Sequence, residues 1–294
     1  MASTRLVILT SALVVVCAGW VPSIALEPKP VRPFYNHFTD EDEMRIGAAS
    51  AEKIEREGVS VPGADGRAVI VHIKRNVVLE GYLESIASKL GQASQRPNMD
   101  YTVRVFDAPD IVNAMSIPGG HIYIYSGLLN FVQSEGELTS VLAHEIGHVV
   151  GRHAINQIAR IEMVTSLIDQ ARESNVITDD ATADKIANIA VPILFTMDSR
   201  TFYSRDQEIE ADLLGFYEME RAGWDPKSET QLLARLAKIS PKQAAPIAMI
   251  ATHPDVSQRL AIVEKEYAGS KVPSGLKENS LQFQAMKFGL SVAH

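Results

Sequence analysis

The sequence predicts a predominantly helical α+β fold with a small, edge-exposed β-sheet. Three observations lead there. From Gly127 onward, apolar residues recur at helical spacing with little interruption. Before it, residues 101–106 alternate in polarity like a strand, and two more short strands flank Pro118-Gly119-Gly120. Hydrophobic residues make up 46% of the chain and aromatics 6%. Alanine and glutamate are plentiful, which suits a helical protein with an ample core. The 294 residues can form one large domain or two small ones.

The amino terminus reads as an export signal. Arg5 supplies a positive start, residues 6–18 an apolar run, and Ser23-Ile24-Ala25 a small-x-small cleavage site. Residues 1–25 are therefore expected to be a signal peptide, with export to the periplasm. The alternative is an uncleaved membrane anchor over residues 6–25, if Pro22 is tolerated. The single cysteine, Cys17, lies inside this segment, so a processed chain has no disulfides. A net charge of −8 excludes nucleic acid as an expected partner. Peripheral association with a membrane remains compatible with the composition.

After a proline-rich stretch over residues 28–33, Thr39 reads as an N-cap with acids in the first turn. That helix is expected to run to about Glu57. Residues 58–66 read as a loop and residues 76–94 as a second helix. Pro118 cannot donate to a central ladder, so its turn belongs at a sheet edge. Such an edge can bind an extended peptide by strand addition, or be an ordinary hairpin. Helices are then expected over residues 154–171, 183–196, 206–222, 227–239 and 257–267, with Pro192 kinking or splitting the second of these. The long connection over residues 173–195 is a further bundle helix with a solvated loop, or a lid over a cleft. Residues 271–280 read as a polar linker, followed by an amphipathic tail.

His144-Glu145-Ile146-Gly147-His148 carries the chemistry. Residues four apart on a helix are separated by about 40° around the axis, so both imidazoles face one way and can grip one Zn²⁺. Glu145 lies roughly 60° from His148, close enough to act as general base without ligating. Leu138, Leu142, Ile146 and Val149 would form the buried back of this helix.

A catalytic zinc needs a third protein ligand. In the pattern HExxHxxGxxH it would be a histidine at the position held by Ala154, and His153 comes one residue early. If the helix continues, His153 lies about 180° from His144. A locally bonded histidine at the helix back or end is the simpler reading. A later segment, Glu208-Ile209-Glu210-Ala211-Asp212, offers a carboxylate. Glu208 and Asp212 share a helix face, while Glu210 points nearly opposite. Glu208 could ligate while Asp212 accepts the free N–H of a ligating histidine. The alternative is an acidic, solvated face. Gly147 and Gly151 on one helix, with Ala211 and Gly215 on the other, favour a close approach of the two. His253, before Pro254, is a turn histidine or faces the metal.

These residues together resemble the M48 family of zinc metallopeptidases, in its soluble exported bacterial branch. The match runs through Asn113-Ala114, Pro118-Gly119-Gly120, residues 144–148, Ser204-Arg205, Glu208, Ala211-Asp212, Thr252-His253-Pro254 and Arg259. No tetratricopeptide repeats follow, unlike some exported relatives. The resemblance implies a gluzincin-type endopeptidase with one Zn²⁺ per chain, held by His144, His148 and Glu208. Glu145 would be the base, Asp212 the partner of a ligating histidine, and His253 a catalytic residue facing the metal. Asn113, Ala114, Pro118, Gly119 and Gly120 would form the substrate edge. The peptidase domain would span residues 26–270, with residues 271–294 a tail. Protein or peptide substrates, misfolded or exported envelope proteins among them, are the implied partners. A chaperone-like binder that keeps the fold but seldom cuts is the alternative.

Overall fold

The computed structural model describes residues 27–62, 67–173, 203–239 and 248–292. The expected signal peptide, and the helix, lid and Pro192 kink expected between the two metal-site helices, lie outside the described residues.

The first helix, α1 (Asp40–Glu57), starts where the sequence requires. Thr39 caps it, and Thr39 and Asp42 satisfy each other's backbone donors in a capping box. The next residues form a hairpin where a loop was expected, β1 (Val59–Pro62) against β2 (Ala68–Val71). At four residues per strand, the alternation is too short to stand out from a loop. Helix α2 (Val77–Ala93) is capped by Asn76, whose side chain accepts from Leu79 N.

A three-stranded sheet follows, built from β3 (Thr102–Phe106), β4 (Ala114–Ile117) and β5 (His121–Tyr125). Its order is β3-β5-β4, with β3 parallel and β4 antiparallel to the central strand. The outer side of β3 receives a bridge between Ile73 and Phe106. Strand β4 is the other edge, as Pro118 requires. Gly119 and Gly120 both adopt φ of 83°, which explains the glycine pair in this turn.

Among the described residues the elements beyond are all helices: α3 (Ser126–Phe131), α4 (Glu135–Val150), α5 (His153–Glu173), α6 (Arg205–Arg221), α7 (Lys227–Leu236), α8 (Ala248–Thr252), α9 (Val256–Gly269) and α10 (Leu281–Val292). Ser134 caps α4, and Ser204 with Gln207 forms a capping box on α6. Helix α4 is buried along its whole length. Its back carries Leu138, Leu142 and Ile146 into a core shared with α2, the sheet, α6 and α7. The carboxy-terminal segment docks on this body through buried Phe283 and through Lys287, whose Nζ donates to three carbonyls at the end of α3.

Helices α4 and α6 touch at their backbones. A Cβ on Gly147 would lie 2.4 Å from Ala211 O, and one on Gly215 would lie 3.0 Å from Ala143 C. Gly151, expected to serve the same approach, instead makes room for a side chain: a Cβ there would lie 2.3 Å from His153 Nε2.

The contact makes a paired test. Gly147→Ala should destabilise the fold by about 1–3 kcal/mol in urea unfolding, because overpacking outweighs better helix propensity. Gly81→Ala in α2, with nothing within 4 Å of the added carbon, should be neutral or stabilising by up to ~1 kcal/mol. A stabilised Gly147→Ala would contradict the helix contact.

Candidate metal centre

The helical register of α4 puts His144 and His148 on the flank beside α6 and turns Glu145 toward β4, and all three are buried. Helix α6 contributes Glu208 and Asp212 from one face, both buried. His253 enters from the turn after α8. Its backbone N donates to Met249 O, and Asp255 at φ 60° reverses the chain into α9.

The donor atoms of His144, His148, Glu208 and His253 lie within 4.8 Å of one another, so the four could hold a metal ion. His144 Nε2 is 3.0 Å from His148 Nε2 and 3.1 Å from His253 Nδ1. The Glu208 carboxylate is 3.5 Å from both Nε2 atoms and 3.1 Å from His253 Nδ1.

The other faces of these rings decide which atoms carry protons. His144 Nδ1 is 2.8 Å from Asp212 Oδ1, so its N–H donates there and its Nε2 lone pair points inward. A bare Nε2 facing other lone pairs is a poor hydrogen-bonding arrangement and a good cation site. The donor set, imidazole nitrogens with one carboxylate, fits zinc.

Charge is balanced within the cluster. Burial tends to raise the Asp212 pKa, but Arg259 outweighs it and holds the carboxyl well below the usual range. The guanidinium is bidentate, with Nε 2.7 Å from Oδ2 and Nη2 2.6 Å from Oδ1. Its Nη1 is 3.0 Å from Glu208 Oε2. Burial also raises Glu208, but His253, His144 and Arg259 together pull it below its ordinary value. His148 is pushed well below the usual imidazole range, first by burial and then by the neighbouring histidines. It therefore stays neutral, as a ligand must.

Glu145 is held apart from the donor cluster. Ser116 of β4 places its hydroxyl 2.9 Å from Glu145 Oε2, while Oε1 is 3.6 Å from His253 Nε2. Ser116 thus ties the edge strand to the carboxylate. Nothing in the sequence marks it, because the contact exists only once β4 packs on α4. Tyr203, also unmarked in the sequence, stacks on His148 with ring centroids 3.9 Å apart. Burial raises its phenol pKa well above the ordinary value, so it keeps its proton.

The candidate edge residues divide. Asn113 accepts from Thr252 Oγ1 at 3.2 Å, tying the start of β4 to the end of α8, just before His253. Ala114 is paired with Ile124 and buried. Pro118, Gly119 and Gly120 lie buried where α1 crosses the turn, with Gly47 against Pro118. Beside His144 and Glu145 lies a small cavity, walled by the buried side chains of Leu232, Leu233, Leu236 and Met249.

The fold and this cluster agree with a peptidase lineage, and the chain belongs to peptidase family M48, whose sequence pattern matches residues 78–267. The chain is 26% identical over 222 residues to the mitochondrial metalloendopeptidase OMA1 of Arabidopsis thaliana, covering 74% of this chain and 43% of that one. It is 26% identical over 184 residues to OMA1 of Schizosaccharomyces pombe, covering 63% and 52%. It is 29% identical over 153 residues to the beta-barrel assembly-enhancing protease of Yersinia pestis, covering 52% and 32%. The chain thus spans 32% to 52% of these relatives' own length.

Arg259 gives the electrostatics a direct test. Arg259→Met should destabilise the fold by about 3–5 kcal/mol in urea unfolding, because Asp212 is left as an unpaired buried charge. A loss under about 1 kcal/mol would show that the pair does not neutralise the site.

Proposed function

We propose that the protein is a zinc-dependent endopeptidase that hydrolyses peptide bonds of exported or misfolded envelope proteins. The observation that carries this reading is the convergence of His144, His148, Glu208 and His253 beside a separately held Glu145. The relatives named as proteases support the reaction class. The bacterial relative's name, beta-barrel assembly-enhancing protease, supports an envelope setting. Export by residues 1–25 would bring the peptidase domain, residues 26–270, to the periplasm. Among the described residues no helix is long and apolar enough to cross a membrane. Peripheral contact with a membrane is compatible with that setting.

In this reading His144, His148 and Glu208 hold one zinc ion per chain, and Asp212 fixes the His144 tautomer. Zinc, when bound, supplies Lewis-acid polarisation of the substrate carbonyl and acidifies a nearby water. Glu145 does the proton work. Ser116 occupies Oε2, so Oε1 is the atom that accepts a proton from the attacking water. The water oxygen adds to the carbonyl carbon, the C–N bond breaks, and the same proton passes from Oε1 to the leaving amine. Asn113, Ala114 and the Pro118-Gly119-Gly120 turn set the end of the edge strand along which an extended substrate would pair.

His253 has two roles open to it here, and both use its position against Glu208 and Glu145. It fills the remaining metal position in a resting enzyme, or it steadies the charge that develops on the substrate oxygen. The first predicts faster basal proteolysis in His253→Ala, the second slower turnover at little changed substrate affinity.

Purified processed chain should cleave casein, and a chelator should stop it. Glu145→Gln should keep about one zinc per chain and lose cleavage. Glu208→Ala should lose zinc as well. Wild-type cleavage by Glu145→Gln would remove that residue from the mechanism. Zinc binding and client binding without cleavage in the wild type would favour a chaperone-like holder.

A further inference from the structure

We propose that His153 and Glu210 form a positioning relay that fixes the tautomer and aim of His148, the second histidine of the metal site. This rests on the reading of His148 as a zinc ligand. His148 Nδ1 lies 2.7 Å from His153 Nδ1, and His153 Nε2 lies 3.1 Å from Glu210 Oε2.

With both imidazoles neutral, the protons along this chain have a single consistent arrangement. The Glu210 carboxylate can only accept, so the proton of neutral His153 sits on Nε2. His153 Nδ1 is then a bare acceptor. The short contact to His148 therefore needs a proton on His148 Nδ1. That leaves a lone pair on His148 Nε2, the atom 3.0 Å from His144 Nε2. A proton on Nε2 would instead block that nitrogen as a ligand. Asp212 sets the same tautomer on His144 from the other side. Each histidine of the pair thus has its own outer partner, and both partners end in a carboxylate of α6.

The backbone is shaped for this contact. A helix continuing past Val150 would carry His153 to the far side of α4. Instead α4 stops, and Arg152 takes a left-handed φ of 56°. For a residue with a Cβ that conformation is strained. Arg152 is held there from the start of α1, where it pairs with Asp40 and has Glu43 at 3.3 Å, and from just before it, where it donates to Phe38 O at 3.2 Å. Gly151 leaves the space that the His153 ring fills. His153 itself is buried, 1% exposed. A strained residue, a required glycine and a clamp from another helix all serve one outcome, the delivery of His153 to the back of His148.

The test reads metal binding rather than turnover. Zinc affinity is measured by chelator competition, and ligand geometry by the visible spectrum of the cobalt(II) form. His153→Phe, which fills the space but cannot accept, should weaken zinc binding about 10–100-fold and shift the cobalt bands. His153→Gln, which can accept from His148, should recover much of the loss. Glu210→Ala removes a partly exposed side chain, so it guards against a variant that fails to fold. It should weaken binding at least about threefold, a smaller effect because it acts through His153. If the wild type and Glu210→Ala bind zinc equally and give the same cobalt spectrum, the relay is overturned while the metal site stands. If the wild type takes up no zinc, the relay and the metal site fall together.

Discussion

At Gly147 and Gly215 two helix backbones come into contact, and the spacing of the site follows from that approach. Helix α4 brings two imidazoles and helix α6 brings a carboxylate, each from a side chain too short to span a wide gap. With ordinary side chains at the crossing, helix axes pack about 8–10 Å apart. Glycine on both sides lets Glu208 reach within 3.5 Å of both histidines. The same approach puts Asp212 against His144 and Glu210 against His153, so α6 supplies the donor Glu208 and also the carboxylates behind both histidines.

So many ionisable groups in one buried place would be costly unless paired. Arg259 is the main compensation. It reaches Asp212 with two nitrogens and Glu208 with a third, and its Nη1 also donates to the His253 carbonyl. Helix α9 therefore neutralises the carboxylates of α6 and anchors the turn that carries His253. Ser116 adds a neutral hydrogen bond to Glu145, which holds this carboxylate in place and brings no further charge.

Much of this was legible because it obeys local rules. Thr39, Asn76, Ser134 and Ser204 cap the helices that helical periodicity predicts. The i, i+4 spacing of His144 and His148, and of Glu208 and Asp212, gives shared faces on any α-helix. The pairing of those two faces was foreshadowed by Gly147 and Gly215. What escaped the sequence depends on departures from periodicity or on tertiary contact. His153 projects to the wrong side of an ideal helix, and the left-handed turn at Arg152 returns it. Ser116 meets Glu145 only across a strand–helix contact. Gly151 looked like a second helix-contact glycine, yet its neighbour is the His153 ring. The β1–β2 hairpin is too short for its alternation to register.

The whole arrangement depends on one metal ion binding where these side chains converge. X-ray absorption at the zinc edge of the zinc-loaded processed chain tests it most directly. The account predicts about four nitrogen or oxygen neighbours at ~2.0–2.1 Å, with outer-shell scattering from two or three imidazoles. That imidazole scattering should fall to at most one ring on any metal still bound in the His144→Ala, His148→Ala double variant. An oxygen-only shell without imidazole scattering in the wild type would contradict it.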